Sequence, residues 1–168
     1  MAALDLSHLT PPDAVAALRS YPRRFRSLIR PLADDEDIDE IAHRAGRDGR
    51  SVMQVVSDLT RTFVLLEHAL QQIAMDDEPL LHPAVLEPGS RHWETEPPAS
   101  VDEALTLLAD AADALAERTS TLPGKAWQRT APVAGGGTVT ALGVIRDAVG
   151  AGRDGLDEVE RILREVRG

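Results

Sequence analysis

The chain has 168 residues, no cysteine and a formal net charge of −10, with 28 acidic against 18 basic side chains. Such a charge is repelled by a phosphate backbone, so no nucleic-acid partner is expected. Disulfides are excluded, and no apolar run approaches the roughly 20 residues of a membrane helix. The N-terminal MAALDLSHLTPPD lacks the basic start and apolar run of a signal peptide. The expectation is a single domain, residues 1–168, in the cytoplasm, with no membrane association. The aromatic residues are few, Tyr21, Phe25, Phe63, Trp93 and Trp127. A core built on Leu, Val, Ile and Ala favours helices.

Four long helical patterns follow one another. The first starts after Thr10, Pro11, Pro12 and Asp13, where Thr10 or Asp13 can cap and proline is tolerated. Val15, Leu18, Phe25, Leu28, Ile29 and Leu32 form its apolar stripe. Pro22 inside it predicts a kink or a restart. Arg19, Arg23, Arg26 and Arg30 make a separate stripe, read as a balance to acidic neighbours. The polar stretch 34–50 predicts a short helix and a loop. Its acidic run from Asp34 to Glu40 lacks the spacing and glycine of a calcium loop and suits a solvated helix start.

The second long helix starts at Ser51, with Gln54 at capping-box spacing. Val52, Val55, Val56, Leu59, Phe63, Leu66, Leu70 and Ile73 predict its buried face. From Met75 to Ser100 five prolines interrupt the chain, which predicts a long crossover without regular structure, a lid or pocket wall. The third helix starts at Ser100, with Glu103 at capping-box spacing, and buries Val101, Ala104, Leu105, Leu108, Ala111, Ala112 and Leu115. Pro123 and Gly124 end it. The fourth carries Leu142, Ile145, Val149, Gly152, Leu156, Val159, Leu163 and Val166 at alternating three and four spacing, the seam of a bundle. No strand of useful length is expected. The fold class is all-α, a four-helix bundle with a long Pro-rich crossover between helices two and three.

Chemistry-bearing motifs are sparse. Gly135, Gly136 and Gly137 precede a helix, but no P-loop lysine and Ser/Thr pair follows, so they read as a flexible loop. No nucleophile elbow occurs. His82 and His92 read as solvent-exposed loop residues, His43 and His68 as surface or boundary residues. Trp93 and Trp127 lie at loop edges, where they could roof an inter-helical cavity or simply pack.

Four segments carry a resemblance: LRSYPRRFRSLIRPL (18–32), AGRDGRSVMQVVSDL (45–59), AWQRT (126–130) and GGTVTALGVIRDAVGAGRDGLDEV (136–159). In order and spacing they resemble the DinB-like superfamily, which includes the N-terminal domain of mycothiol-dependent maleylpyruvate isomerase. The resemblance implies a DinB-like four-helix bundle whose second and last helices hold a metal through histidines. Here Arg50 stands where the family's helix-two tryptophan is expected, and Asp58 where its helix-two histidine is expected. The two ligand positions of the last helix fall on Gly150 and Asp154, or one residue on, at Ala151 and Gly155. None is histidine.

A divalent site of that type needs three protein donors around one cation. Asp58, and Asp154 in one register, could ligate a hard ion. The alternative preferred is that Asp58 pairs with an arginine such as Arg61, Arg146 or Arg153, leaving a polar cluster that binds a small anion or amide. The expected function is therefore a DinB-like protein with a degenerate metal site that binds a small molecule without metal or serves a structural role. A thiol-dependent isomerase or transferase and a partner-binding module remain as alternatives. No catalytic, cofactor-binding or metal residue is assigned and no cofactor is expected. The candidate pocket comprises Asp58, Trp93, Trp127, Arg146, Arg153 and Asp154, and a homodimer is one assembly open to the chain.

Overall fold

The computed structural model describes residues 5–93 and 95–168. The expected absence of a signal peptide rests in part on residues 1–4, which lie outside the described residues. Five helices form: α1 (Pro11–Ile29), α2 (Ile38–His43), α3 (Val52–Met75), α4 (Val101–Thr121) and α5 (Ala141–Arg167). None is long and apolar enough to cross a membrane.

Local chemistry sets the helix starts. Thr10 caps α1 by accepting the Asp13 amide, and the Asp13 carboxylate returns a bond from the Thr10 amide. Ser51 and Gln54 form the same reciprocal box at α3. Asp37 caps α2, and Thr140 caps α5. At α4, Ser100 accepts the Glu103 amide; the second half of the expected box does not form. Each cap satisfies a helix-terminal N–H that would otherwise lack a partner. The helix α1 continues through Pro22 without a restart.

The long helices make a four-helix bundle. Both α1 and α3 pack against α4 and α5. That pattern sets α1 diagonally from α3, and Tyr21 and Phe63 meet across the core with ring centroids 6.3 Å apart. The helices joined by the Pro-rich crossover, α3 and α4, are neighbours. The expected apolar face of α3 is buried throughout, from Val52 to Ile73. Tyr21 joins the buried face of α1, whereas Leu32, expected to belong to it, lies beyond the helix and is 75% exposed.

A small hairpin forms where no strand was expected. Strands β1 (Thr130–Pro132) and β2 (Thr138–Thr140) pair antiparallel, with Ala131 opposite Val139. Between them Gly135, Gly136 and Gly137 take φ of 89°, 119° and 87°. These are left-handed conformations that glycine alone adopts freely, so the glycine run is the bend of a hairpin. Leu81 of the crossover donates its amide to the Pro132 carbonyl and accepts the Ala134 amide, which fastens the crossover to the hairpin. Arg129 donates to the carbonyls of Ala74 and Asp76 and so closes the C-terminal end of α3.

Candidate functional site

The site begins with a tight turn ahead of α3. The Gly46 amide donates to the Arg50 carbonyl at 2.8 Å, and Gly49 turns the chain at φ 83°. The Arg50 amide donates to Asp48 Oδ1 at 3.1 Å. The turn is pinned to α5: the Arg47 amide donates to Glu165, and Arg161 bridges Glu165 at 3.0 Å and Asp48 at 2.6 Å. The Arg50 amide, and with it the Arg161 guanidinium, holds the Asp48 carboxyl below its ordinary value. The Arg47 amide and then Arg161 do the same for Glu165.

This turn fixes Arg50 immediately before the Ser51 cap, with its guanidinium directed between two helices. Nη2 donates to Asp58 Oδ2 of α3 at 2.6 Å, and Nη1 donates to Glu158 Oε1 of α5 at 2.6 Å. The Arg50 side chain is 26% exposed, Asp58 17% and Glu158 27%. His92 of the crossover places Nδ1 3.2 Å from the same Asp58 oxygen, while its ring is 60% exposed.

Arg91 sets that part of the crossover. It is 5% exposed. Its Nε donates to the Ala84 carbonyl at 2.7 Å, and its Nη2 to the Val85 carbonyl at 2.9 Å and to Asp147 of α5 at 2.6 Å. A buried guanidinium bonded this way fixes the crossover, which was expected to lack regular structure but forms two short 3-10 turns, Pro83–Val85 and Pro88–Ser90. The next residue, His92, is thereby delivered to Asp58.

Two clefts meet at the Arg50, Asp58 and His92 cluster. One, of about 350 Å³, is floored by Val55, Leu59, Ala151 and Gly155 and rimmed by Asp154 and Glu158. The other, of about 510 Å³, lies under the crossover between Gln54, Ser57, Trp93 and Glu96. On α5 the cleft-facing positions 151, 154, 155 and 158 follow helical spacing, so one face of the helix builds the wall.

Of the candidate pocket residues, Asp58 lines both clefts, Asp154 the smaller and Trp93 the larger. Trp127, Arg146 and Arg153 line neither. Trp127 is buried in the short turn Gly124–Gln128. Arg146 donates to the Leu9 carbonyl at 3.2 Å, and Arg153 lies near Tyr21. The arginine beside Asp58 is Arg50 rather than Arg61, Arg146 or Arg153. His82 and His92 are exposed loop residues as expected; His92 is in addition a neighbour of Asp58, and His82 accepts the Ala84 amide at 3.1 Å within its own turn. Sequence reasoning missed Glu158 and Arg91; nothing local distinguishes them from surface charges.

The residues do not fit the metal set that the resemblance implies. In one register Ala151 and Gly155 face Asp58 and offer no donor atom; in the other, Asp154 lines the cleft, but Gly150 has no donor and a Cβ on it would lie 3.2 Å from Leu6. A Cβ on Gly155 would already lie 3.3 Å from the Phe25 ring and 3.4 Å from Leu59, so a larger side chain there would displace core. Among the described residues no three His, Asp or Glu side chains converge as a metal set.

No protein-family model and no curated protein sequence matches the chain. Among solved structures, the chain is similar to YfiT from Bacillus subtilis, at 15% identity and a TM-score of 0.73. The match covers 98% of this chain and 91% of that one. YfiT is described as a probable metal-dependent hydrolase with an unusual four-helix bundle topology. At this identity the likeness establishes the fold alone: a four-helix bundle.

Proposed function

We propose that the chain is a DinB-like protein with a degenerate metal site whose cleft binds a small molecule. The carrying observation is the pair of clefts meeting at Arg50, Asp58 and His92, over a floor of Ala151 and Gly155 that offers room and no ligand atoms. An apolar floor with a few convergent polar groups is what small-molecule sites have in common. The remaining parts of the reading go with it: a cytoplasmic protein of one domain, residues 1–168, with a homodimer open to it.

A second reading draws on His92. With Nδ1 beside the Asp58 carboxylate, Nε2 is left for a ligand. An imidazole held in this way could take the proton of a thiol, which supports a thiol-dependent isomerase or transferase with an altered site.

A thermal-shift panel of compact metabolites and low-molecular-weight thiols, mycothiol included, tests both. A stabilised melting transition that disappears in Asp58→Ala supports ligand binding in the cleft. A shift confined to thiols, lost also in His92→Ala, selects the thiol reading. No shift across the panel leaves a structural or partner-binding role ahead.

A further inference from the structure

We infer that the Arg50 guanidinium is the resident cation of the cleft, built into the chain between the two carboxylates that α3 and α5 bring to it. The inference rests on the proposed reading of this cleft as one without a metal, and it names the group that supplies the positive charge there.

Asp58 and Glu158 approach each other from two different helices, and among the described residues no other cationic side chain bonds Glu158 as closely: Arg161 stands 4.0 Å away against 2.6 Å for Arg50. Two largely buried carboxylates brought together repel unless a cation stands between them. Arg50 supplies one nitrogen to each, both at 2.6 Å, so a single planar fork joins the helices. The guanidinium stays protonated at any ordinary pH and presents its donors in fixed directions. It is tethered to the start of α3 by the turn from Gly46 to Ser51, whose backbone is hydrogen-bonded at Gly46, Gly49 and Arg50. A chelator cannot remove such a cation, and a divalent ion cannot enter without expelling it.

The corollary is a latent site. With the guanidinium cut away, Asp58 and Glu158 would present carboxylate oxygens to the vacated space, two donor groups that water would have to complete around an ion. Oxygen donors of this kind favour a hard ion such as Mn²⁺ or Mg²⁺. The vacated space would also accept a free guanidinium.

The experiment compares wild type with Arg50→Ala, each melted with EDTA, with MnCl₂ and with low-millimolar methylguanidinium. Free Mn²⁺ is followed by its electron paramagnetic resonance signal. Wild type is expected to melt at one temperature under all conditions and to leave the Mn²⁺ signal intact. Arg50→Ala is expected to melt about 5 °C or more lower. Its melting temperature should recover as Mn²⁺ or methylguanidinium is raised, as linkage requires of a species bound by the folded state alone, and the free Mn²⁺ signal should fall.

Should Arg50→Ala not fold, the triple variant Arg50→Met, Asp58→Leu, Glu158→Leu removes cation and carboxylates together. It should fold, melt near wild type and ignore Mn²⁺; failure of the triple variant to fold overturns the inference. Stoichiometric metal on wild type would overturn both this inference and the metal-free reading of the cleft. An Arg50→Ala variant that melts like wild type, or that is destabilised and rescued by neither cation, would overturn this inference alone and leave the ligand reading standing.

Discussion

The two sides of α5 differ in kind. Toward α1 the helix is closed from Val149 to Gly155, ahead of a charged cleft at Asp157 and Glu160: Tyr21 lies directly over Gly152, its hydroxyl donates to the Val149 carbonyl at 2.6 Å, and the Phe25 ring edge lies close to Gly155. Toward α3 and the crossover the same stretch is open, with Ala151 and Asp154 on a cleft and Glu158 held by Arg50. Ala151, Gly152 and Gly155 serve both sides because they contribute so little side chain. The small residues let the aromatic rings of α1 come in close on one side and leave space on the other. In a bundle otherwise packed with Leu and Val, the cleft is a consequence of how α1 is seated.

The sharpest way to break this comparison is to add a single methyl group on the closed side. A Cβ at Gly152 would lie inside contact distance of three atoms of the Tyr21 ring. Gly152→Ala gains about 1 kcal/mol of helix propensity but forces Tyr21, a fully buried ring, off its seat. Overpacking typically costs about 1–3 kcal/mol, occasionally more. The expected outcome is net destabilisation in urea unfolding, with Tyr21→Leu in the same chain relieving it. A Gly152→Ala variant more stable than wild type would mean that the close approach of α1 does not explain the glycine.

The second test uses pH, because the turn on the open side is held by ion pairs. The carboxyls of Asp48 and Glu165, which pin the Arg50 turn, lie below their ordinary values of 3.8 and 4.5. A depressed carboxyl contributes stability that is present above its unfolded value and is lost as pH falls through the folded one. Stability should therefore decline below about pH 4.5, and Asp48→Asn with Glu165→Gln should flatten that decline. The closed side titrates at the other extreme. Burial raises the Tyr21 hydroxyl above its ordinary 10.0. Its contribution is intact below that value and falls as pH rises beyond it, a loss absent from Tyr21→Phe. Acid denaturation that ignores Asp48 and Glu165 would show that the turn is not held by its charges.

These sides also differ in how far they could be read from residues alone. Periodicity exposed the buried faces, because Val52 to Ile73 and Leu142 to Val166 repeat at helical spacing whatever they pack against. Thr10 and Ser51 could be read as caps because a cap and its partner lie three residues apart. The hairpin escaped because three-residue strands are too short to show an alternation. The ion pair at the cleft escaped for a different reason. Arg50 and Glu158 are brought together by the turn at Gly46 to Gly49 and by the docking of α5 on α3. Asp58 could be singled out as a carboxylate in need of an arginine, but several arginines are equally plausible in one dimension. Arg91 was silent because arginine is ordinarily exposed, and only the folded crossover shows its donors spent on Ala84, Val85 and Asp147.

The smallest expected effect lies on the rim of the open side. Asp154 is exposed and, among the described residues, makes no ion pair. A substitution at such a position usually shifts stability by no more than about 0.5 kcal/mol. Asp154→Ala should therefore unfold like wild type while weakening any ligand shift found for the cleft. Gly152, two residues earlier on the same helix, should respond in the opposite sense, through stability first. If Asp154→Ala proves as costly as Gly152→Ala, then Asp154 carries packing or pairing that an open rim does not require. The division of α5 into a closed side that seats α1 and an open side that receives a ligand would then have to be redrawn.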